Sequence, residues 1–182
     1  MTSLDSDRLA AGMDHIRSSP SDTGAVEMIV RRPAVDEREV VQAGELDTEA
    51  GLVGDNWRTR GSGSTVDGSA DPVRQITVMN SRCIALVAGE VGRWPLAGDQ
   101  LYVDYDLSVD NLPPGTRLAV GSAIIEVSEA PHTGCSKFSG RFGMDALRFV
   151  NSPEGRRLRL RGMNARVVRS GSVRRGDAVE KI

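Results

Sequence analysis

Asn111-Leu112-Pro113-Pro114-Gly115-Thr116-Arg117-Leu118-Ala119-Val120-Gly121-Ser122-Ala123-Ile124-Ile125-Glu126-Val127-Ser128 is the stretch that decides the fold. Asn111 to Gly115 and Val120-Gly121-Ser122 carry the residues that turns select, glycine for backbone freedom and proline for a fixed φ. The runs they bound, 116–120 and 123–128, are short, rich in Val and Ile, and read as strands. The same pattern recurs outward. Residues 101–103, 158–161, 165–169 and 178–182 are further strand candidates, and 26–30 and 75–79 are two more nearer the N-terminus. Many short strands with few helices predict a mostly β protein with a few short helices, a β-barrel or closed sandwich rather than a doubly wound sheet. The sheet is expected to be closed or nearly closed, with fewer than about a third of residues helical.

The helices are few. Asn80 or Ser81 is placed to cap one that carries Ile84, Leu86, Val87 and Val91. Residues 145–150 read as a second, stopped near Asn151-Ser152-Pro153. Residues 45–54 read as a loop, and Gly61-Ser62-Gly63-Ser64 with Asp67-Gly68 as a mobile connection. Residues 1–24 read as a flexible N-terminal tail or short helix, with Leu9, Met13 and Ile16 as one stripe that Ser18-Ser19-Pro20-Ser21 ends. Residues 25–182 then form a single domain. There is no internal repeat, P-loop or dinucleotide fingerprint.

Composition excludes several classes. A length of 182 residues suits one domain. No run approaches the ~18 apolar residues that span a bilayer, and the acidic start, Met1-Thr2-Ser3-Leu4-Asp5-Ser6-Asp7, lacks the apolar segment of a secretory signal. Two cysteines make no disulfide framework, so a reducing, cytoplasmic setting is expected. The net charge of −2 hides an asymmetry: residues 137–182 carry 12 Lys/Arg against 4 Asp/Glu. All of those cations but Lys137 and Lys181 are arginines, whose planar fork suits phosphate or carboxylate. With so few aromatic residues as stacking platforms and an acidic chain overall, a small anionic ligand is expected rather than nucleic acid. The arginines of this segment are expected to converge on one concave, positive site.

Cys135 lies in Pro131-His132-Thr133-Gly134-Cys135-Ser136-Lys137-Phe138, just past a predicted strand and at the start of the basic segment. A thiol beside cations is more readily ionised than a free one at about 8.5. The residues alone leave open a second reading, a small buried hydrophobe. Cys83, inside the predicted helix, reads as core. Cys135 is therefore expected to be accessible and more easily alkylated than Cys83. His132 and Cys135 are a possible dyad, though three residues apart on a loop they form a weak signal. Four convincing zinc ligands are lacking, and neither lysine is a convincing Schiff-base residue, so no pyridoxal phosphate is expected.

The ordered array Gly51-Leu52-Val53-Gly54-Asp55, Gly98-Asp99-Gln100-Leu101, Leu112 to Leu118, Ile125 to Ser128, Gly134-Cys135, Arg161 to Arg166 and Gly176 to Val179 resembles the MOSC domain. That module closes molybdenum cofactor sulfurases and also occurs as small standalone proteins, the branch this chain resembles. The resemblance implies a MOSC-like β-barrel and a cysteine, here Cys135, that carries persulfide sulfur or ligates molybdenum in the molybdopterin cofactor. It further implies a site for the cofactor's phosphate, for which Arg141, Arg161, Arg166 and Lys137 supply charge and Thr133, Gly134 and Ser136 supply backbone or hydroxyl donors. A sulfur donor or redox partner protein is implied too, with no membrane. The chain departs from the family in two places: Gly61-Ser62-Gly63 replaces a His-Gly-Gly, and Gly98-Asp99-Gln100-Leu101 replaces Gly-Glu-Asn-Leu. Two readings follow, a sulfurtransferase or molybdenum-dependent oxidoreductase working through Cys135, and a carrier that holds the cofactor without turnover.

Overall fold

The computed structural model describes residues 6–182; the acidic start read against a secretory signal lies mostly outside them. In chain order the strands are β1 (Thr23–Arg31), β2 (Glu39–Val41), β3 (Ala43–Asp47), β4 (Gly51–Leu52), β5 (Ile76–Asn80), β6 (Leu101–Asp104), β7 (Arg117–Val120), β8 (Ala123–Val127), β9 (Met163–Arg169), β10 (Gly171–Arg174) and β11 (Ala178–Lys181). The α-helices are α1 (Ser6–Ala11), α2 (Met13–Arg17), α3 (Trp57–Arg60), α4 (Ser81–Ala88), α5 (Ser136–Phe142), α6 (Met144–Asn151) and α7 (Pro153–Arg157). Fewer than a third of the described residues are helical, as the strand-rich pattern predicts.

Seven strands close a barrel in the order β1-β11-β7-β8-β9-β5-β6, and β6 returns to β1. All these neighbours are antiparallel except β5 and β6, which run parallel. The predicted hairpin forms with Val120 opposite Ala123 and Leu118 opposite Ile125. β2 extends the far end of β1, and β10, β3 and β4 form a separate three-stranded sheet.

Side-chain alternation sorts the apolar residues into two layers. Ile76, Val78, Leu101, Val103, Ile125, Val127 and Ala165 point inward and fill the barrel. Met79 and Tyr102, one position away, point outward and pack under the helices with Ile84, Val87, Phe138, Phe142 and Val150. In β1 both Val26 and Ile29 reach the barrel interior, although an odd spacing should place them on opposite faces. A register shift between Val26 and Met28 explains it, since a bulge resets the alternation. Burying each of the larger side chains contributes on the order of 1.5–3 kcal/mol. Leu9, Met13 and Ile16 form a buried stripe within the outer layer.

Three local readings change. Residues 158–161 are not a strand but a turn. Helix α6 stops at Asn151 as expected, and the same Ser152-Pro153 pair also starts α7, Ser152 accepting from the Gly155 N–H and Pro153 occupying the first helical turn. Helix α4 ends at Gly89 with φ +74, leaving Val91 beyond it and exposed. The 45–54 loop contains the β3–β4 hairpin. Asn80 caps α4 as expected, its Oδ1 accepting from the Cys83 N–H at 3.0 Å.

Candidate functional site: a thiol at a cationic cleft

The chain leaves β8 at one rim of the barrel and runs through Pro131 to Cys135 before turning into α5. Two asparagines hold this segment. Asn164 on β9 donates to the carbonyls of Ala130 and Pro131 at 3.1 and 3.2 Å. Asn151, at the end of α6, accepts from the Gly134 N–H at 2.8 Å and donates back to its carbonyl at 3.0 Å. Gly134 is closely packed: a Cβ there would lie 2.7 Å from Leu147 Cδ1, which would have to move aside. Both its backbone groups are thereby engaged, so Gly134 offers no free donor.

Cys135 is the N-cap of α5 and is exposed. Partial burial alone would raise its pKa, but the Phe138 and Lys137 backbone N–H groups, with the charges of Arg161 and Lys137, together bring it below the ordinary thiol value. Cys83 is the opposite case. It is fully buried, donates to the Leu160 carbonyl at 3.2 Å, and burial pushes its pKa up to about 12.

Cys135 lines a cleft of about 310 Å³. From the C-terminal segment, Lys137, Arg141 and Arg161 reach it; from the N-terminal half come Arg32, Arg38, Arg60 and Arg74. Asp36, itself paired with Arg141 at 3.3 Å, is the one carboxylate in this wall among the described residues. Burial, then Arg141 and Arg32, hold the Arg38 guanidinium below its ordinary pKa. Burial and Arg32 do the same to Arg60. Like charges crowded at one opening are a preformed seat for an anion.

Two buried aspartates fix this array. Asp55, closing the Gly-Leu-Val-Gly-Asp motif, accepts a fork from Arg32, Nε and Nη2 each at 2.8 Å. Arg32 Nη1 donates to the Gly98 carbonyl at 3.0 Å. Asp99, from the Gly-Asp-Gln-Leu motif, is 0% exposed. Its Oδ2 accepts from Arg161 Nη1 at 2.6 Å, and its Oδ1 faces His132 Nε2 at 2.9 Å. Arg161 also donates to the Ala97 carbonyl and lies over the Phe138 ring at 5.1 Å, while its Nε is buried without a partner.

The predicted site residues therefore divide. Cys135, Lys137, Arg141 and Arg161 come together at the cleft. Ser136 is exposed in the first turn of α5, and Thr133 lines a second cleft behind the loop. Arg166 is elsewhere, on an exposed stretch of β9, paired with Glu126 at 2.7 Å. Convergence of the C-terminal arginines is thus limited to Arg141 and Arg161. The arginines of the N-terminal half were missed because nothing local marks them; only the motif aspartates that hold Arg32 and Arg161 hinted at buried partners.

His132 titrates below its ordinary value because of burial first and then Arg161, with Asp99 opposing and Arg32 adding to the depression. Asp99 is also held low: burial would raise it, but Arg161 and His132 outweigh that. Both folded-state pKa values lie below the unfolded ones, so both contributions are full above the unfolded pKa and fade as pH falls. Melting temperature should therefore drop as pH falls below about 6.5, where unfolded His132 gains a proton that folded His132 refuses. A further drop below about 4 comes from Asp99. Scanning calorimetry from pH 7 to 4 checks this, and His132→Gln should flatten the upper part of the curve. An unchanged upper slope in that variant would refute the assignment.

The MOSC domain model matches residues 69–180, more than half the chain, and the chain belongs to that family. Solved structures with the same fold include YuaD from Bacillus subtilis, 19% identical with a TM-score of 0.65, covering 87% of this chain and 95% of that one. YiiM from Escherichia coli is 19% identical with a TM-score of 0.56, over 87% and 69% of the two chains. YiiM from Geobacillus stearothermophilus is 14% identical with a TM-score of 0.57, over 87% and 75%. No curated protein matches the sequence. Among the described residues, no helix is long and apolar enough to cross a membrane.

Proposed function

We propose that this protein binds the molybdenum-pterin cofactor in the Cys135 cleft and that Cys135 is the protein's sulfur ligand to the metal. The observation that carries this reading is one ionisable, exposed thiol at the mouth of a cleft walled by six arginines and Lys137. The residues fit the group: Arg161 presents at the same wall a buried Nε without a partner among the described residues, a donor that an anion satisfies, and Cys135 offers one exposed thiol.

When bound, the cofactor supplies two-electron oxygen-atom or sulfur chemistry at molybdenum. The chain's own contributions are separable. Arg32 and Arg161, held by Asp55 and Asp99, seat the phosphate. Arg38, Arg60 and Arg141 add charge around it. His132, held neutral by burial and by Arg161, donates to the Asp99 carboxylate and braces the cleft wall. The Phe138 and Lys137 backbone N–H groups, then the charges of Arg161 and Lys137, favour the Cys135 thiolate against burial.

The test is molybdenum content by mass spectrometry on protein purified from a cofactor-producing host. The wild-type chain should carry close to one molybdenum, Cys135→Ser should lose most of it, and Arg38→Gln/Arg60→Gln should lower it severalfold. No molybdenum in the wild type overturns the reading. The exposure of Cys135 also favours sulfur delivery from a partner persulfide, for which the same wild-type sample should show a mass gain of one sulfur on Cys135 that a reductant removes.

A further inference from the structure

A second cleft of about 350 Å³ lies behind the Cys135 loop and shares only His132 and Arg161 with the first. Its walls are mostly apolar, from Val109, Pro114, Pro131, Val150 and Met163. One residue in it is out of keeping with these surroundings. Arg159 has φ +50, a left-handed conformation that strains a bulky side chain. Burial lowers its pKa, and no acidic group offsets that. Its Nη1 donates to the carbonyls of Leu112 and Leu107, at 2.7 and 3.3 Å. Its Nε and Nη2 have no protein partner among the described residues, and these two groups form the side-on fork that a carboxylate fills.

The charge around Arg159 points the same way. Among the described residues, the Arg156 side chain on the same cleft bonds only the Asn151 carbonyl, at 3.0 Å. Arg161 is neutralised by Asp99. Glu129 is the single carboxylate in this wall among the described residues. Ser128 Oγ, also on the wall, is buried without a partner. Arg159 is thus a strained, half-buried arginine that faces apolar walls with half of its fork unpaired among the described residues.

We infer that this second cleft binds a small organic carboxylate with an apolar body, and that Arg159 grips the carboxylate. A free phosphate would satisfy the arginine but leave the apolar walls uncovered; a neutral apolar molecule would do the reverse. The inference is independent of the molybdenum reading. Because His132 and Arg161 belong to both clefts, the ligand would lie directly behind the reactive thiol.

Nitrogen-15 NMR titration of the full chain with benzoate, benzamide and inorganic phosphate tests it. Benzoate should shift the Glu129, Gly162 and Met163 amides saturably, while the other two leave them unmoved over the same concentrations. Arg159→Gly suits the positive φ and should fold, and Arg159→Gln keeps an amide donor for the Leu112 carbonyl. Both should weaken benzoate at least about tenfold, the loss expected for a charged hydrogen-bonded pair. Equal shifts with benzamide or phosphate, no saturable shift with benzoate, or full benzoate affinity in both variants would each overturn the inference.

Discussion

Iodoacetamide at pH 7 should label Cys135 of the folded protein within minutes and leave Cys83 untouched. The two thiols differ in both factors that set reactivity, the thiolate fraction and access. Cys135 is exposed, with its pKa lowered by backbone N–H groups and by Arg161 and Lys137 against the opposing effect of burial. Cys83 is fully buried at a pKa near 12, with its proton on the Leu160 carbonyl. Reaching Cys83 requires opening the outer layer around α4, which approaches global unfolding at roughly 5–15 kcal/mol. The rate ratio should therefore exceed about a thousandfold and vanish in denaturant. Peptide mass mapping over time reads it directly. Comparable labelling of both thiols in the folded state, or a silent Cys135, would remove the chemical basis of the proposed function.

Replacing Asp99 with asparagine should be the most damaging conservative change at the site. Asp99 is buried and holds both Arg161 and His132, with Arg161 itself 8% exposed at its side chain. Asparagine keeps the shape but removes the charge, leaving the Arg161 guanidinium buried and uncompensated. Breaking a buried pair in this way costs about 3–5 kcal/mol. In a domain of this size that is a fall of roughly 10 °C in melting temperature, readable by calorimetry. Arg161→Met removes the other partner and leaves a carboxylate that His132 can still serve, so it should cost less. Little loss in either variant, or an Asp99→Asn protein as stable as wild type, would show that the pair is not what anchors the cleft wall.

Barrel strands were legible where one face is buried over several residues, as in β8, where Ala123, Ile125 and Val127 alternate with half-buried Ile124 and Glu126; β3 and β10, with one buried side chain each, were not. Period two survives in sequence because the barrel interior enforces it. Helix α5 was not legible. Its residues Ser136 to Phe142 include serine and glycine, poor helix formers, and only Phe138 and Phe142 mark its buried face. Packing under the outer layer, rather than propensity, makes it helical. Cys135 stood out because it follows a strand end and heads a basic segment. The cleft around it did not, since Arg32 and Arg161 lie far apart in sequence and meet only when the barrel closes. Regional charge was a poor guide for a related reason: Arg166 sits in the basic segment yet pairs with Glu126 on the surface.

The closing contact of the barrel has a consequence for how the chain comes to be made. β11 fits between β1 and β7, so residues 23–25 pair with residues 178–180, more than 150 positions later. Until β11 has left the ribosome, the growing chain holds an open, curled sheet with bare edges on β1 and β7. Unpaired edges of that kind recruit other strands. During synthesis the barrel therefore stays open until residues 178–181 arrive. A chaperone that shields strand edges would matter most in that interval, and a variant that slows translation between β9 and β11 should aggregate without any loss of native stability.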